Sequence, residues 1–455
     1  MNNELVADAL SRDLTQGLFP PERQPIPNLN DIYELELAFY ENLILTDAEL
    51  INNGAYFARI GSEYTRHLLM CTGEPLKLPE HSSSRLKSFF EKNIFRTGYA
   101  THGLFPYRGK FHPQMIKGLM NVMGLKPGAI VLDPMMGSGT VLVEASLMGI
   151  RSIGVDASPF CRFMTQTKLD ALTMSLVRAK GALSNYEEVF TYFQKRIGQP
   201  SPGSKPSRAN PEKNTMGVME ETATYAAQRD RTTLTEKDRD TLHTYHFLLL
   251  GYLDSAGYAE RSARKAPLVQ FRAILERYLF VAEKIQRVLS GLQMEPTPAE
   301  VMEGDARALS LGNGSVDGII FSPPYSFAVD YLANDSFHLN FMGIDSDVLR
   351  EKMIGLRGRH LSEKYQYYNE DMKKVLSECS RVLRPGSFCT IIVGTNNNQL
   401  GKVFGLSPDE VQGLHEILID MGAGCGLKPA KVMSRPIIGI SNTMRREYIL
   451  ILQKQ

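Results

Sequence analysis

The sequence predicts an α/β fold built on a parallel sheet, and two observations support this. A buried strand over 129–132, a glycine turn, a helix over 140–148 and a second strand over 151–155 follow one another closely. This succession is one βαβ unit, in which the helix returns the chain so that both strands lie parallel. Strand-like segments resume after residue 300, over 316–321, 388–393, 437–440 and 448–452. The sheet is therefore predicted to be interrupted by an insert and completed after it, with a final antiparallel pair.

The regions around this sheet are assigned from composition. Residues 1–96 are predicted to be mostly helical, because apolar residues recur at helical intervals over 31–50 and 63–71. Residues 97–170 hold the first part of the α/β domain. Residues 171–298 form a helical insert that begins with a linker, since 198–206 are mostly Gly, Pro and Ser and the residues up to 240 are polar. Residues 299–455 complete the domain, with a helix over 375–383.

The length and composition limit the classes of function. A chain of 455 residues is too long for one compact core, so two or three cooperating units are expected. Its 51 basic and 50 acidic residues give a net charge of +1, which does not exclude nucleic acid, because acids elsewhere can balance a basic face. The five scattered cysteines form no CxxC pair, which is typical of reduced thiols and not of a zinc site.

The sequence also bears on localisation. No apolar run approaches the roughly 20 residues that a membrane helix needs, and the first residues contain acids but no apolar core of a secretory signal. We therefore expect a cytoplasmic protein with no membrane partner and no metal.

The first motif is the glycine turn that follows the first strand, Asp133-Pro134-Met135-Met136-Gly137-Ser138-Gly139-Thr140. Backbone N–H groups and the positive end of the next helix face the crevice at such a turn. Gly137 and Gly139 allow a ligand to approach the backbone closely. The turn has neither the Gly-Lys-Ser/Thr of a P-loop nor the full GxGxxG spacing of a dinucleotide site.

Two aspartates follow neighbouring strands and indicate a nucleoside-type ligand. Asp156 ends the second strand, 23 positions after Asp133, where a carboxylate can accept hydrogen bonds from both ribose hydroxyls. The alternative role for Asp156 is to cap the helix that begins after it. Asp305, beside Ala306, follows another strand-like segment and is placed to receive an adenine amino group.

The second motif is Ser322-Pro323-Pro324-Tyr325, directly after the apolar strand over 316–321. The two prolines hold the chain extended and remove two N–H donors, which leaves carbonyls free to accept. Ser322 and the Pro323 carbonyl would accept hydrogen bonds from an exocyclic amine, while Tyr325 stacks on the base that carries it. The alternative is a rigid turn after an edge strand.

Together the two motifs resemble those of the amino-methyltransferases that act on exocyclic nitrogens of nucleic-acid bases. These are class I S-adenosylmethionine-dependent enzymes, so the resemblance implies a Rossmann-like sheet of seven strands, here with a helical N-terminal region and a helical insert. It covers about residues 97–170 and 300–455. A serine at the first position of the second motif resembles the cytosine-N4 DNA methyltransferases more than the adenine-N6 enzymes.

The resemblance implies S-adenosylmethionine as the cofactor and DNA as the partner. Residues 109–114 resemble the segment that closes over the methionine part of the cofactor in that family. The residues implied to bind the cofactor are Lys110, Phe111, His112, Asp133, Pro134, Gly137, Ser138, Gly139, Thr140, Asp156, Ala157, Asp305 and Ala306. Ser322, Pro323, Pro324 and Tyr325 are implied to be catalytic. The insert is then the candidate target-recognition region, and a restriction or defence protein is a candidate partner.

Two basic stretches are candidate phosphate contacts. The first lies in the insert and includes Arg261, Arg264, Lys265 and Arg272, and the second follows the catalytic motif and includes Arg357 and Arg359. Their alternative role is that of an ordinary solvated surface.

Other functions stay open at the level of sequence. Adenine-N6 methylation of DNA is the nearest alternative. RNA is another candidate substrate, because residues 112–145 also resemble the guanosine-N2 tRNA methyltransferases. A non-catalytic nucleic-acid-binding subunit that kept the fold is the alternative outside enzymes. Cytosine-C5 methylation is excluded, since no cysteine follows a proline.

Overall fold

The computed structural model describes residues 17–27, 29, 31–72, 98–107, 109–196, 215–227, 233–261, 266–324, 330–437 and 446–455. The strands are β1 Arg23–Pro25, β2 Phe57–Ile60, β3 Glu63–Tyr64, β4 Ile130–Asp133, β5 Arg151–Asp156, β6 Ala299–Glu303, β7 Val316–Phe321, β8 Leu383–Gly394, β9 Leu427–Pro436 and β10 Arg446–Lys454. The helices up to the insert are α1 Ile32–Ile44, α2 Asp47–Asn53, α3 Arg66–Thr72, α4 Pro113–Val122, α5 Thr140–Met148 and α6 Pro159–Asp170. Those that follow are α7 Val177–Ser184, α8 Tyr186–Gln194, α9 Thr215–Ala227, α10 Glu236–Arg261, α11 Pro267–Gly291, α12 Tyr331–Phe341, α13 Ser346–Lys352, α14 Leu361–Val382, α15 Asn397–Phe404 and α16 Leu414–Gly424.

The central sheet has seven strands in the order β6-β5-β4-β7-β8-β10-β9. Strands β6, β5, β4, β7 and β8 are mutually parallel, and β10 is antiparallel to both of its neighbours. This confirms the predicted seven-stranded Rossmann-like sheet of the class I type. Because strands β4 to β7 are parallel, their carboxyl ends lie at the same edge of the sheet. The order in which the chain adds strands reverses between β4 and β7. Both predicted motifs follow strands that end at this edge.

The βαβ unit forms where the sequence predicts it. β4 and β5 are nearly fully buried and pair in parallel, with Leu132 opposite Ile153. Helix α5 between them is buried along its whole length. Gly149 ends α5 with a φ of +78°, a left-handed conformation that favours glycine at a helix C-terminus.

The described part of the N-terminal region contains three helices, as predicted, and also three short strands that the sequence did not predict. Strands β1, β2 and β3 form a small antiparallel sheet beside helices α1 to α3. The three strands have only two to four residues each, too few for an alternating pattern to be visible in the sequence. Buried Glu41 of α1 joins this region to the α/β domain, because it accepts hydrogen bonds from the Ala55 and Tyr56 N–H groups and, at 2.6 Å, from Asn121 of α4.

The insert is more regular than its polar sequence predicts. Residues 215–227 form α9 instead of a linker, and α10 follows from residue 236; the linker over 198–206 lies outside the described residues. Buried apolar side chains of the insert share one core with Phe160 of α6 and Leu339 of α12. The insert helices therefore pack directly on the α/β domain.

The C-terminal part differs from the prediction at three boundaries. Helix α14 begins at Leu361, 14 residues before the predicted start at 375. β8 begins at Leu383, the last residue of the predicted helix, and thus starts five residues before the predicted strand over 388–393. β10 pairs with β9, over Leu427–Pro436, which the sequence did not predict, and residues 438–440 of the predicted strand over 437–440 lie outside the described residues. β9 was missed because it is an edge strand in which only Leu427 and Met433 are buried.

Within the described residues, no helix is both long and apolar enough to cross a membrane.

Candidate active site

The glycine turn is held from behind by α6. Gly137 and Gly139 have φ angles of +47° and +73°, so both occupy the left-handed region that other residues rarely adopt. The Thr165 hydroxyl donates to the Gly137 carbonyl at 3.1 Å, and the Lys168 ammonium donates to the Ser138 carbonyl at 3.1 Å. A Cβ on Gly139 would lie 2.5 Å from the Thr165 methyl carbon. The turn therefore fits against α6 only with glycine at this position.

The Asp156 carboxylate joins the ends of β4 and β5. Its two oxygens accept hydrogen bonds from the N–H groups of Gly137 at 2.9 Å and Ser158 at 2.8 Å. The side chain that caps α6 is that of Ser158, so the alternative role of Asp156 as a helix cap is wrong. Burial raises the pKa of Asp156, and the two backbone N–H donors act in the opposite direction. Asp156 also lines the cleft described below.

Asp133, at the end of β4, lies behind the turn. Its side chain is fully buried, and one oxygen accepts from the Met135 N–H at 3.1 Å. Among the described residues its other oxygen has no hydrogen-bond partner. Burial raises the pKa of Asp133 well above its ordinary value, and nearby Asp156 adds to this. Asp133 therefore stabilises the start of the turn through its hydrogen bond to the Met135 N–H.

A cleft that is open to solvent lies at the carboxyl edge of the sheet. Most of the predicted site residues line it: Phe111, Pro134, Gly137, Ser138, Asp156, Ala157, Asp305, Ala306, Ser322, Pro323 and Pro324. Five others do not line it: Lys110, His112, Asp133, Gly139 and Thr140. Tyr325 lies outside the described residues. The structure thus brings the turn, the two aspartates and the start of the second motif into one cleft.

Lys110 and His112 flank Phe111 in the sequence but do not line the cleft. The Lys110 ammonium donates to the His102 carbonyl at 2.7 Å, and burial lowers its pKa to about 8. His112 precedes the first residue of α4. Of the three consecutive residues 110–112, Phe111 lines the cleft.

Asp305 lines the cleft with its carboxylate already bound by Arg307. The guanidinium donates from Nε and Nη2 at 2.9 Å, and it also reaches Asp371 at 3.0 Å and the Lys352 carbonyl at 3.0 Å. Burial would raise the pKa of Asp305, but the hydrogen bonds from Arg307 outweigh it and lower the pKa. An adenine amino group at Asp305 would therefore share this carboxylate with Arg307.

The second motif begins where β7 ends. Phe321, its last residue, pairs with Ile391 of β8, which holds the following residues at the sheet edge. The Ser322 hydroxyl donates to the Pro323 carbonyl at 3.3 Å. This contact uses the hydroxyl proton, so the lone pairs of the Ser322 oxygen stay available to accept a hydrogen bond.

The predicted phosphate contacts differ in their availability. Arg272 donates to Glu276 at 3.1 Å, and Arg357 donates to Asp371 at 2.6 Å and lies over the Tyr367 ring. Arg359 is exposed. Arg264, Lys265 and the side chain of Arg261 lie outside the described residues. An arginine that is paired with a carboxylate, as Arg272 is with Glu276, is less available to bind a phosphate than the exposed Arg359.

Several lining residues were not found from the sequence. They include Tyr107, whose hydroxyl lies 3.5 Å from the Cys161 sulfur, and Leu332 and Asp335 of α12. No motif marks them, because they reach the cleft only through packing of the preceding loop and of α12. Among the described residues, no group of three or more His, Cys, Asp or Glu is arranged to hold a metal ion.

The comparisons with known proteins agree with this geometry. Residues 104–191 match the family UPF0020, described as RMKL-like, methyltransferase domain. This stretch contains the glycine turn, Asp156 and α6. The chain therefore carries an S-adenosylmethionine-dependent methyltransferase domain, which confirms the class and the cofactor that the motifs predicted.

Three relatives are similar over parts of the chain. The Type II methyltransferase M.MjaII of Methanocaldococcus jannaschii is 47% identical over 68 residues, 15% of this chain and 13% of that protein. The Type II methyltransferase M.BsoBI of Geobacillus stearothermophilus is 21% identical over 290 residues, 55% of this chain and 54% of that protein. A tRNA (guanine(10)-N2)-dimethyltransferase of Methanothermobacter thermautotrophicus is 42% identical over 52 residues, 11% of this chain and 16% of that protein. The chain thus spans at most about half the length of these relatives.

Among solved structures, the rRNA methyltransferase aviRa of Streptomyces viridochromogenes aligns with 77% of this chain and 88% of its own, at 12% identity and a TM-score of 0.33. The strand order of the central sheet, and not this distant likeness, defines the fold.

Proposed function

We propose that the protein transfers a methyl group from S-adenosylmethionine to the exocyclic N4 of cytosine in DNA. The observation that carries this proposal is the placement of Ser322, Pro323 and Pro324 in the same cleft as the glycine turn and Asp156. A methyl donor bound at the turn would lie next to an amine bound at the second motif. The residues present also fit the cofactor, since left-handed Gly137 opens the turn and the Asp156 carboxylate faces the cleft.

The reaction requires the amine, the methyl group and the sulfur to lie in line. Bound S-adenosylmethionine supplies an activated methyl group on a sulfonium sulfur. The Ser322 oxygen and the Pro323 carbonyl accept hydrogen bonds from the two N–H groups of the amine. This arrangement orients the nitrogen lone pair towards that methyl group. As the new N–C bond forms and the S–C bond breaks, one amine proton passes to water through these acceptors. Tyr325 is proposed to stack on the base.

The relatives support DNA as the substrate and a restriction or defence setting. The longest of the three sequence matches above, 290 residues, is with a Type II methyltransferase, and it is longer than the stretch 104–191 that matches the methyltransferase family. Serine as the first residue of the second motif favours cytosine over adenine, following the resemblance stated above. The insert is proposed to take part in target recognition.

A second candidate is methylation of guanosine N2 in tRNA. It is favoured by the relative that is a tRNA (guanine(10)-N2)-dimethyltransferase, which is 42% identical over 52 residues. That match is shorter than the one with M.BsoBI, so we rank it second.

Product identification tests the proposal. The full-length protein is incubated with S-adenosylmethionine and either unmethylated DNA or bulk tRNA, and the digested nucleosides are analysed by mass spectrometry. N4-methylcytosine in DNA is expected. N6-methyladenine would refute the choice of base, and N2-methylguanosine in tRNA would refute the choice of nucleic acid. Cofactor binding with no product on either substrate would favour a non-catalytic binding subunit.

A variant separates catalysis from cofactor binding. Tyr325→Ala is expected to abolish methyl transfer while the affinity for S-adenosylmethionine, measured by calorimetry, stays close to that of the wild type. Equal loss of both would show that the ring supports the structure instead of the base.

A further inference from the structure

Two of the segments that line the cleft outside the two motifs contact the insert helices. The first is the strap, residues 98–107 and 109–112, which contributes Tyr107, Gly109 and Phe111. The second is α12, which contributes Leu332 and Asp335. Neither segment is a strand of the sheet, so contacts other than strand pairing set its position.

The strap is held by the insert through a buried tyrosine. The Phe105 N–H donates to the Tyr278 hydroxyl of α11 at 2.9 Å, and that hydroxyl donates to Asp254 of α10 at 3.1 Å. Arg277 donates to the same Asp254 oxygen at 2.7 Å. Phe105 has a φ of +50°, a left-handed conformation that is costly for a bulky residue and persists only where neighbouring contacts hold it. The insert thus holds the strap at a strained point.

Helix α12 is held by the adjacent residue of α10. The Nε2 atom of His338 lies 3.2 Å from the carbonyl oxygen of Leu253, so this nitrogen donates to it. The His338 ring also stacks on Phe160 at 4.6 Å and contacts the edge of Phe105. The approach is close enough to need glycine, since a Cβ on Gly257 would lie 2.6 Å from Nε2 of His338.

We propose that residues 253–257 of α10 are positioning residues for the cofactor cleft. Leu253 and Asp254 are neighbours on one helix turn, and they hold α12 and the strap respectively. The position of the insert helix therefore sets the position of both segments, and the insert acts on cofactor binding in addition to any role in target recognition. This inference rests on the proposed cofactor site, and it assigns part of that site's affinity to residues 253–257.

A pair of glycine variants in α10 tests the inference. Gly257→Ala introduces a methyl group that must displace His338, whereas a Cβ on Gly251 meets only ordinary contacts, the nearest at 3.7 Å. Both changes are alike in helix propensity. The affinities for S-adenosylmethionine and for S-adenosylhomocysteine are measured by calorimetry on the full-length protein. Gly257→Ala is expected to weaken both by about tenfold, and Gly251→Ala by less than about twofold.

A second pair keeps the inference testable if Gly257→Ala does not fold. Tyr278→Phe removes the acceptor of the Phe105 N–H but keeps the ring, and it is expected to weaken cofactor binding by about three- to tenfold. Its control is Tyr192→Phe, which removes a tyrosine–carboxylate hydrogen bond to Glu220 elsewhere in the insert. Hydrogen exchange in Tyr278→Phe is expected to rise in a peptide over 98–107, with the α8 and α9 peptides unchanged.

The outcomes separate this inference from the proposed function. Wild-type binding with unchanged affinity in Tyr278→Phe and Gly257→Ala would overturn the inference and leave the cofactor site intact. Faster exchange throughout the insert in Tyr278→Phe would also overturn it, because the tyrosine would then support the insert's stability in general. No binding by the wild type would overturn the cofactor site, and this inference with it.

Discussion

Gly139 offers the sharpest test of how the cofactor turn is built. Gly139→Ala imposes two separate costs. A non-glycine residue at a φ of +73° pays about 1–2 kcal/mol for the left-handed backbone. The new Cβ would also lie 2.5 Å from the Thr165 methyl carbon and 2.7 Å from its hydroxyl oxygen, an overpacking that costs about 1–3 kcal/mol. The expected loss in the free energy of unfolding is therefore about 2–5 kcal/mol.

A control glycine isolates the contact from the backbone. Gly405, which follows α15, has a φ of +68°, and a Cβ there would meet no atom within 4 Å. Gly405→Ala therefore pays only the backbone cost. The difference between the two variants, measured by urea unfolding, is expected to be about 1–3 kcal/mol.

Thr165→Ala completes the test, because it removes the two atoms nearest to the new Cβ and leaves only the Thr165 Cβ, at 3.0 Å. In that background Gly139→Ala should cost nearly as little as Gly405→Ala. Equal costs for Gly139→Ala and Gly405→Ala in the wild type would refute the conclusion that α6 holds the turn by close contact. A cost for Gly139→Ala that Thr165→Ala does not reduce would refute it as well.

Three further predictions concern the cofactor, the pH dependence and the nucleic acid. Asp156→Ala should weaken S-adenosylmethionine binding by about 1–3 kcal/mol in calorimetry, and unchanged affinity would remove it from the site. Burial lowers the pKa of the His102 imidazole to about 4 despite its contact with Glu144. As the pH falls below about 6.5, the imidazole is therefore protonated in the unfolded chain before it is protonated in the folded protein, which favours unfolding. His102→Gln should therefore reduce the acid-induced loss in the free energy of unfolding between pH 6.5 and 4 by on the order of 3 kcal/mol, and equal pH profiles for the two proteins would contradict this. Exposed Arg359, changed to Ala, should lower the salt dependence of DNA binding by about one unit of slope, whereas Arg272→Ala, which loses a guanidinium paired with Glu276, should not.

The βαβ unit was predictable because its signals are local. The apolar runs of β4 and β5, the buried α5 and the terminating Gly149 all lie within a few residues of the structure they specify. The two left-handed glycines of the turn follow from the same local logic, since few other residues adopt such φ angles.

The missed elements share a physical reason. β9 is an edge strand with few buried positions, so its sequence does not alternate, and the N-terminal strands are too short to show a pattern. Residues 215–227 read as a polar linker but form a helix, because Met219 and Ala223 pack into the core of the insert. In each case tertiary contacts outweighed a weak local preference.

The sequence by itself determined the class of fold, the cofactor turn and the position of the second motif, because each depends on residues that are neighbours in the chain. Only the tertiary structure decided that Arg307, which binds Asp305, also reaches Asp371, and that Thr165 and Lys168 support the turn. It also placed Leu253 and Asp254 of the insert against α12 and Tyr278. These contacts join residues up to 173 positions apart, as between Phe105 and Tyr278, and side chains so distant in sequence leave no periodic pattern that predicts their partners.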